Sequence, residues 1–146
     1  MTYKVLDIAN KLLSLADCGN EEGELMTNMK LQKMLYYQQG YHLALFDEPL
    51  FEEELEAWMY GPVVPSVYEF YKEHGSNGIQ SKQPVIKLTN KEEALFKEVY
   101  RTYDRYSATG LMNLSHSEKP WNSVPTGVGN TISKSTLKMF FKKKLK

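Results

Sequence analysis

Cysteine is nearly absent. Cys18 is the one thiol in 146 residues, which excludes an intramolecular disulfide and points to a reducing compartment. Its neighbour Asp17 would raise a thiol pKa, and no basic residue is close in sequence, so no catalytic cysteine is expected. No apolar run reaches the roughly 18–20 residues that a membrane span needs. The first residues, MTYKVLDIAN, are polar and helix-patterned without a signal-peptide core. A cytoplasmic protein with no membrane partner is the expectation. Net charge is also missing: 18 basic residues balance 18 acidic ones, so no overall basic field draws in nucleic acid.

Histidine is scarce, and His42, His74 and His116 fall in no metal-ligand spacing, so neither metal nor cofactor is expected. There is no G-x-G-x-x-G, no Walker sequence and no G-x-S-x-G, and the glycines of GVGN lack the strand-to-helix context of a phosphate loop. Internal repeats, low-complexity linkers and domain boundaries are missing too. A chain of this length holds one core, so residues 1–146 read as one domain.

What is there begins with uneven charge. Asp47, Glu48, Glu52, Glu53, Glu54 and Glu56 form an acidic block, and Lys134, Lys138, Lys142, Lys143, Lys144 and Lys146 a basic tail. Both read as solvated faces, the tail also suiting a helix C-terminus. Lys142–Lys146 beside Phe140 and Phe141 resembles a grip for nucleic acid. The two phenylalanines fall at helical spacing with Leu137, however, which fits core packing better.

Periodicity predicts a mainly α fold of about six helices with at most a short two-stranded β ribbon. Val5, Ile8, Ala9, Leu12, Leu13 and Ala16 mark a first helix over 4–17, ended by Gly19-Asn20 and followed by a polar link, Glu21–Glu24. Thr27 or Asn28 caps a second helix to Leu45 whose stripe is Leu31, Met34, Leu35, Tyr41 and Leu45. Tyr36 and Tyr37 widen its apolar face, which makes it central. The alternation from Leu55 to Tyr60 suggests a strand, with Val85–Leu88 as partner and Gly61-Pro62 as its end. Pro65 opens a helix to His74, closed by Gly75. Thr89 and Glu92 form a capping box before Leu95, Phe96, Val99, Tyr100 and Tyr103. Ser107 caps a short helix, SHSEKPW reads as turns, and Ser133 caps the last helix.

The stretch EAWMYGPVVPSVYEFY, residues 56–71, concentrates five aromatics around a Gly-Pro turn. Gly61 permits a backbone conformation that a Cβ hinders, and Pro62 and Pro65 fix the lead into the next helix. This corner is expected to hold Trp58 and Tyr60 against Tyr68 and the SHSEKPW segment. Part of it packs, and part presents a preformed contact face. Tyrosine suits surfaces that are wet when free and dry when bound, and the chain has ten. A binding module is favoured over an enzyme.

The run LQKMLYYQQGYHLALFDEPLF resembles the "LQKLLYYAQGWHLA…PLF" signature of the Panacea-domain family, the SocA-like antitoxins, also known as phage-associated proteins. EAWMYGPVVPSVYEFYK is similar to its "EAW-x-YGPV-x-P-x-VY", and LSHSEKPW to its "L(S/T)H-x-E-x-PW". The resemblance extends from Val5 to Phe141. Gln38-Gln39 followed by Tyr41 departs from the common alanine and tryptophan. The resemblance implies a helical cytoplasmic antitoxin of bacteria or prophages that neutralises a cognate toxin protein by direct contact, without catalysis. One branch of the family delivers its toxin to an AAA+ protease of ClpXP type. The family-motif residues that become candidates for partner binding are Tyr36, Tyr37, Trp58, Tyr60, Gly61, Pro62, Tyr68, His116 and Trp121. From another class, the alternative is a hydrolase using His116 with Glu118 or with an acid of the 47–56 block. The toxin, the contact face and the oligomeric state are not legible.

Overall fold

The computed structural model describes residues 2–19 and 25–145; the expected link Glu21–Glu24 and the side chain of Cys18 lie outside the described residues. The chain is organised around helix α2 (Asn28–Phe46), which is buried on almost every side. Thr27 caps it, accepting from the Lys30 N–H, and Asp47 closes it in the left-handed conformation at φ 61°. Around it pack α1 (Val5–Gly19), α3 (Pro65–Tyr71), α4 (Asn90–Asp104), α5 (Ala108–His116) and α7 (Lys134–Lys144). A 3₁₀ turn, Lys72–His74, extends α3, and α6 (Lys119–Asn122) is a single turn. The fold is mainly α, with seven α-helices among the described residues rather than six. The additional one is α6, where Pro120 starts a turn inside the segment read as loop.

The predicted caps hold. Thr89 and Glu92 form both halves of the capping box of α4, and Ser107 and Ser133 cap α5 and α7. Gly40 lies mid-helix in α2, where a glycine ordinarily weakens the helix. The Phe141 ring occupies the space a Cβ there would need, so α7 lies directly on the α2 backbone. None of the described helices is long and apolar enough to cross a membrane.

The sheet differs from expectation in partner and size. It has three antiparallel strands in the order β2-β1-β3: β1 Leu55–Trp58, β2 Gly61–Val63 and β3 Thr131–Ile132. Val85–Leu88 is not a strand. Gly61-Pro62 does not end the ribbon but begins its second strand, with Trp58 opposite Gly61 and Ala57 opposite Pro62. Ala57 sends its N–H to the Asn130 carbonyl (3.0 Å) and accepts from the Gly127 N–H (2.8 Å), both on the side away from β2. Pro62, opposite Ala57, therefore loses no ladder bond by lacking an N–H. Leu45, expected on the apolar stripe of α2, is exposed.

Candidate functional site

The three aromatic and polar motifs of the sequence meet at one end of the sheet. From α2 come Lys33, Tyr36 and Tyr37, each fully buried. The hairpin β1–β2 supplies Trp58, Tyr60, Gly61 and Pro62. The α5–α6 connection supplies Ser115, His116, Glu118 and Trp121.

Met59 and Tyr60 turn the hairpin without a left-handed residue, so the reversal is completed by Gly61 at φ 111°. A Cβ on Gly61 would stand 2.8 Å from Lys33 Cε and 3.2 Å from Ser115 Oγ. The glycine is thus demanded twice, by its dihedral and by the two side chains beneath it. Met59 and Tyr60 at the tip are 67% and 56% exposed. Tyr60 does not pack in the corner as expected; it faces solvent. Trp58 does pack, its ring meeting the edge of Tyr68 at 5.2 Å between centroids. Its indole N–H donates to Glu56 (2.9 Å), and its carbonyl accepts from the Trp121 indole N–H (2.8 Å). Trp121 in turn stacks on His116 at 4.1 Å.

Glu118 sits under this layer, buried on the loop between α5 and α6. Its Oε1 accepts from the hydroxyls of Tyr36 (2.9 Å) and Tyr37 (3.0 Å). Burial raises its pKa, and the two tyrosine hydrogen bonds oppose the rise. The same burial, with the carboxylate alongside, pushes both tyrosines well above their ordinary value. Tyr37 also stacks on Tyr103 at 3.8 Å, and Tyr103 shares a hydrogen bond with Tyr41 (2.8 Å).

Three buried side-chain atoms lack a hydrogen-bond partner among the described residues: Lys33 Nζ, His116 Nε2 and Glu118 Oε2. All three belong to the converging motifs. Burial alone pulls Lys33 down from 10.5 to about 8. Sequence reading missed Lys33, because a lysine between Gln32 and Met34 looks like the wet side of a helix. The sequence signal that marks it is its place one turn before the tyrosine pair.

No hydrogen bond joins His116 to Glu118, whose Oε1 is committed to two tyrosines. The clefts around Lys30, around Phe46 and Glu92, around Phe70 and around Tyr41 are lined by other residues. No group of three or more potential metal ligands occurs among the described residues. The acidic block is solvated at Glu52, Glu53 and Glu54, and it is also paired: Glu54 with Lys134 (3.0 Å), and Asp47 with Lys138 (2.7 Å) and Lys142 (3.7 Å).

Residues 31–122 match the family model described as antitoxin SocA-like, Panacea domain. That span runs from α2 through α6 and contains all the candidate residues. Antitoxin SocA of Caulobacter vibrioides (strain NA1000 / CB15N) is 30% identical over 120 residues, covering 73% of this chain and 64% of that protein. The match therefore spans a little under two-thirds of the curated relative. No solved structure matches.

Proposed function

The chain belongs to the SocA-like, Panacea-domain antitoxin family, and on that premise we propose that it neutralises a cognate toxin protein by direct contact, without chemistry of its own. The observation that carries the reading is the exposed apolar group at the end of the sheet. Met59 and Tyr60 project from the hairpin tip, and Val128, 80% exposed, from the loop tied to Ala57. Behind them the backbone is held by the Trp121–Trp58 hydrogen bond and by Gly61 against α2. The Tyr60 ring, with only two side-chain torsions, loses little conformational freedom when covered, which favours association. Tyr68 packs on Trp58, and Trp121, stacked on His116, bonds the Trp58 carbonyl, which fixes the strand leading into the tip. We further propose that α1 and α7, outside the family match, act in one unit with it, since α7 lies on Gly40 of α2.

Co-expression with the product of the adjacent open reading frame tests the reading. The expected result is a product toxic alone, harmless with this chain, and co-purifying with it. The double variant M59A/Y60A should lose neutralisation while melting like the parent. A variant that neutralises as well as the parent would overturn the contact face. Neutralisation that disappears in cells lacking a ClpXP-type protease would replace simple sequestration with delivery to an AAA+ protease.

A further inference from the structure

Two lysines among the described residues are buried, and they are treated differently. Lys11 gives its ammonium to the Ile86 carbonyl (2.7 Å) and to Glu93 (2.7 Å). Lys33, 0% exposed, has three donor hydrogens and no acceptor. Its neighbour Ser115 spends its hydroxyl proton on the Met112 carbonyl (3.0 Å) and forms no bond with Lys33. The buried carboxylate of Glu118 forms no ion pair with it either; one oxygen holds Tyr36 and Tyr37 and the other is unpaired. A methionine would fill the same space without the cost of a buried, uncompensated cation. Lys33 lies against Gly61, which contributes backbone only and is itself buried in β2, next to the exposed Met59–Tyr60 tip.

We propose that Lys33 is an anchor for a carboxylate carried by the partner protein, reached when the β1–β2 hairpin that carries Gly61 swings away from it on binding. The inference rests on the reading of this chain as a protein-binding antitoxin and names the chemistry of one contact. A carboxylate satisfies the charge and the hydrogen-bonding capacity of the ammonium together, and charge-assisted bonds of this kind are the strong ones. It also explains why the cation is held unpaired in the free protein: the missing partner arrives with the toxin.

Acetate is the probe for the site itself, titrated against sodium chloride at equal ionic strength. Acetate should raise the melting temperature of the parent and shift the Lys33 Cε resonance, and should leave K33M and K33Q unmoved. No response in the parent, or the same response in all three, overturns the site. Against the toxin, K33M should melt at or above the parent temperature and bind about tenfold more weakly or worse. Unchanged affinity in a stable K33M likewise overturns it. A parent chain that binds no toxin overturns the proposed function, while the acetate titration still decides the fate of Lys33.

Discussion

Two buried polar clusters hang from α2, and they end differently. Around His42 every group is matched. Nδ1 bonds the Glu48 carbonyl (2.7 Å) and Nε2 bonds Glu92 (2.7 Å). Glu92 also accepts from the Tyr3 hydroxyl (2.6 Å) and the Thr89 N–H (3.1 Å). Around Lys33, His116 and Glu118 each residue keeps one atom without a partner. Both clusters draw on histidine, glutamate and tyrosine, and the open one adds a lysine. A closed network ties the N-terminal segment, the 47–49 turn and α4 to one helix, which is what a fold needs. An open one beneath an exposed apolar tip is what a binding surface needs, since its remaining capacity is available to something else.

The largest effect should come from breaking the closed cluster. Glu92→Ala leaves His42 and Tyr3 without their acceptor and should cost about 3–5 kcal/mol in urea unfolding. The pH dependence sharpens the point. Burial by itself would raise the Glu92 pKa, but hydrogen bonds from Tyr3, His42 and Thr89 outweigh it and hold the carboxyl at about 2 against the ordinary 4.5. Its contribution is complete above 4.5 and is lost as pH falls toward 2, so the parent should weaken across that window more steeply than E92A.

Gly61→Ala should cost about 2 kcal/mol, from a left-handed dihedral and the collision with Lys33. In a Lys33→Ala background the cost should shrink, and a double-mutant cycle by denaturation reads the difference. K33M should reverse the sign, gaining about 1–3 kcal/mol near neutral pH. Because burial lowers Lys33 to about 8 from 10.5, the parent gains stability as pH rises through that interval, and the advantage of K33M narrows there. Were K33M less stable than the parent, the open cluster would not be open.

Glu118→Gln should stay within about 1 kcal/mol of the parent, because the amide oxygen still accepts from Tyr36 and Tyr37. Burial raises the Glu118 pKa, so its contribution is present at low pH and lost as pH climbs through the raised value. E118Q should therefore gain on the parent from acid to neutral pH. Tyr60→Ala should change stability least, by less than about 0.5 kcal/mol, while reducing toxin neutralisation.

The sequence made the helices readable and hid how they are joined. Caps announce themselves locally, as Thr89 with Glu92 and Ser133 with its following turn show. The second partner of β1, β3, is two residues long and about 76 positions downstream, with too little alternation to be noticed. Burial of polar residues was equally invisible. Gln39 looks like surface, yet its amide accepts from the Leu50 N–H (2.7 Å) and donates to the Phe51 carbonyl (2.8 Å), standing in for a neighbouring strand. Gln32 does the same for the Val64 N–H (2.9 Å). The aromatic corner was located correctly from Gly61, Pro62 and Trp58, and the exposure of Tyr60 depended on a turn geometry that composition does not state. Lys33 escaped because helical periodicity averages a residue with its neighbours, and its neighbours were mixed.

The acidic block and the lysines of α7 stand 80 or more residues apart in the written chain and side by side in the folded one, with Asp47 between Lys138 and Lys142 and Glu54 on Lys134. The molecule thereby carries its own counterions. A polyanion approaching α7 finds Lys134, Lys138 and Lys142 already engaged and must displace carboxylates tethered to the same scaffold, at high effective concentration, before it gains those three.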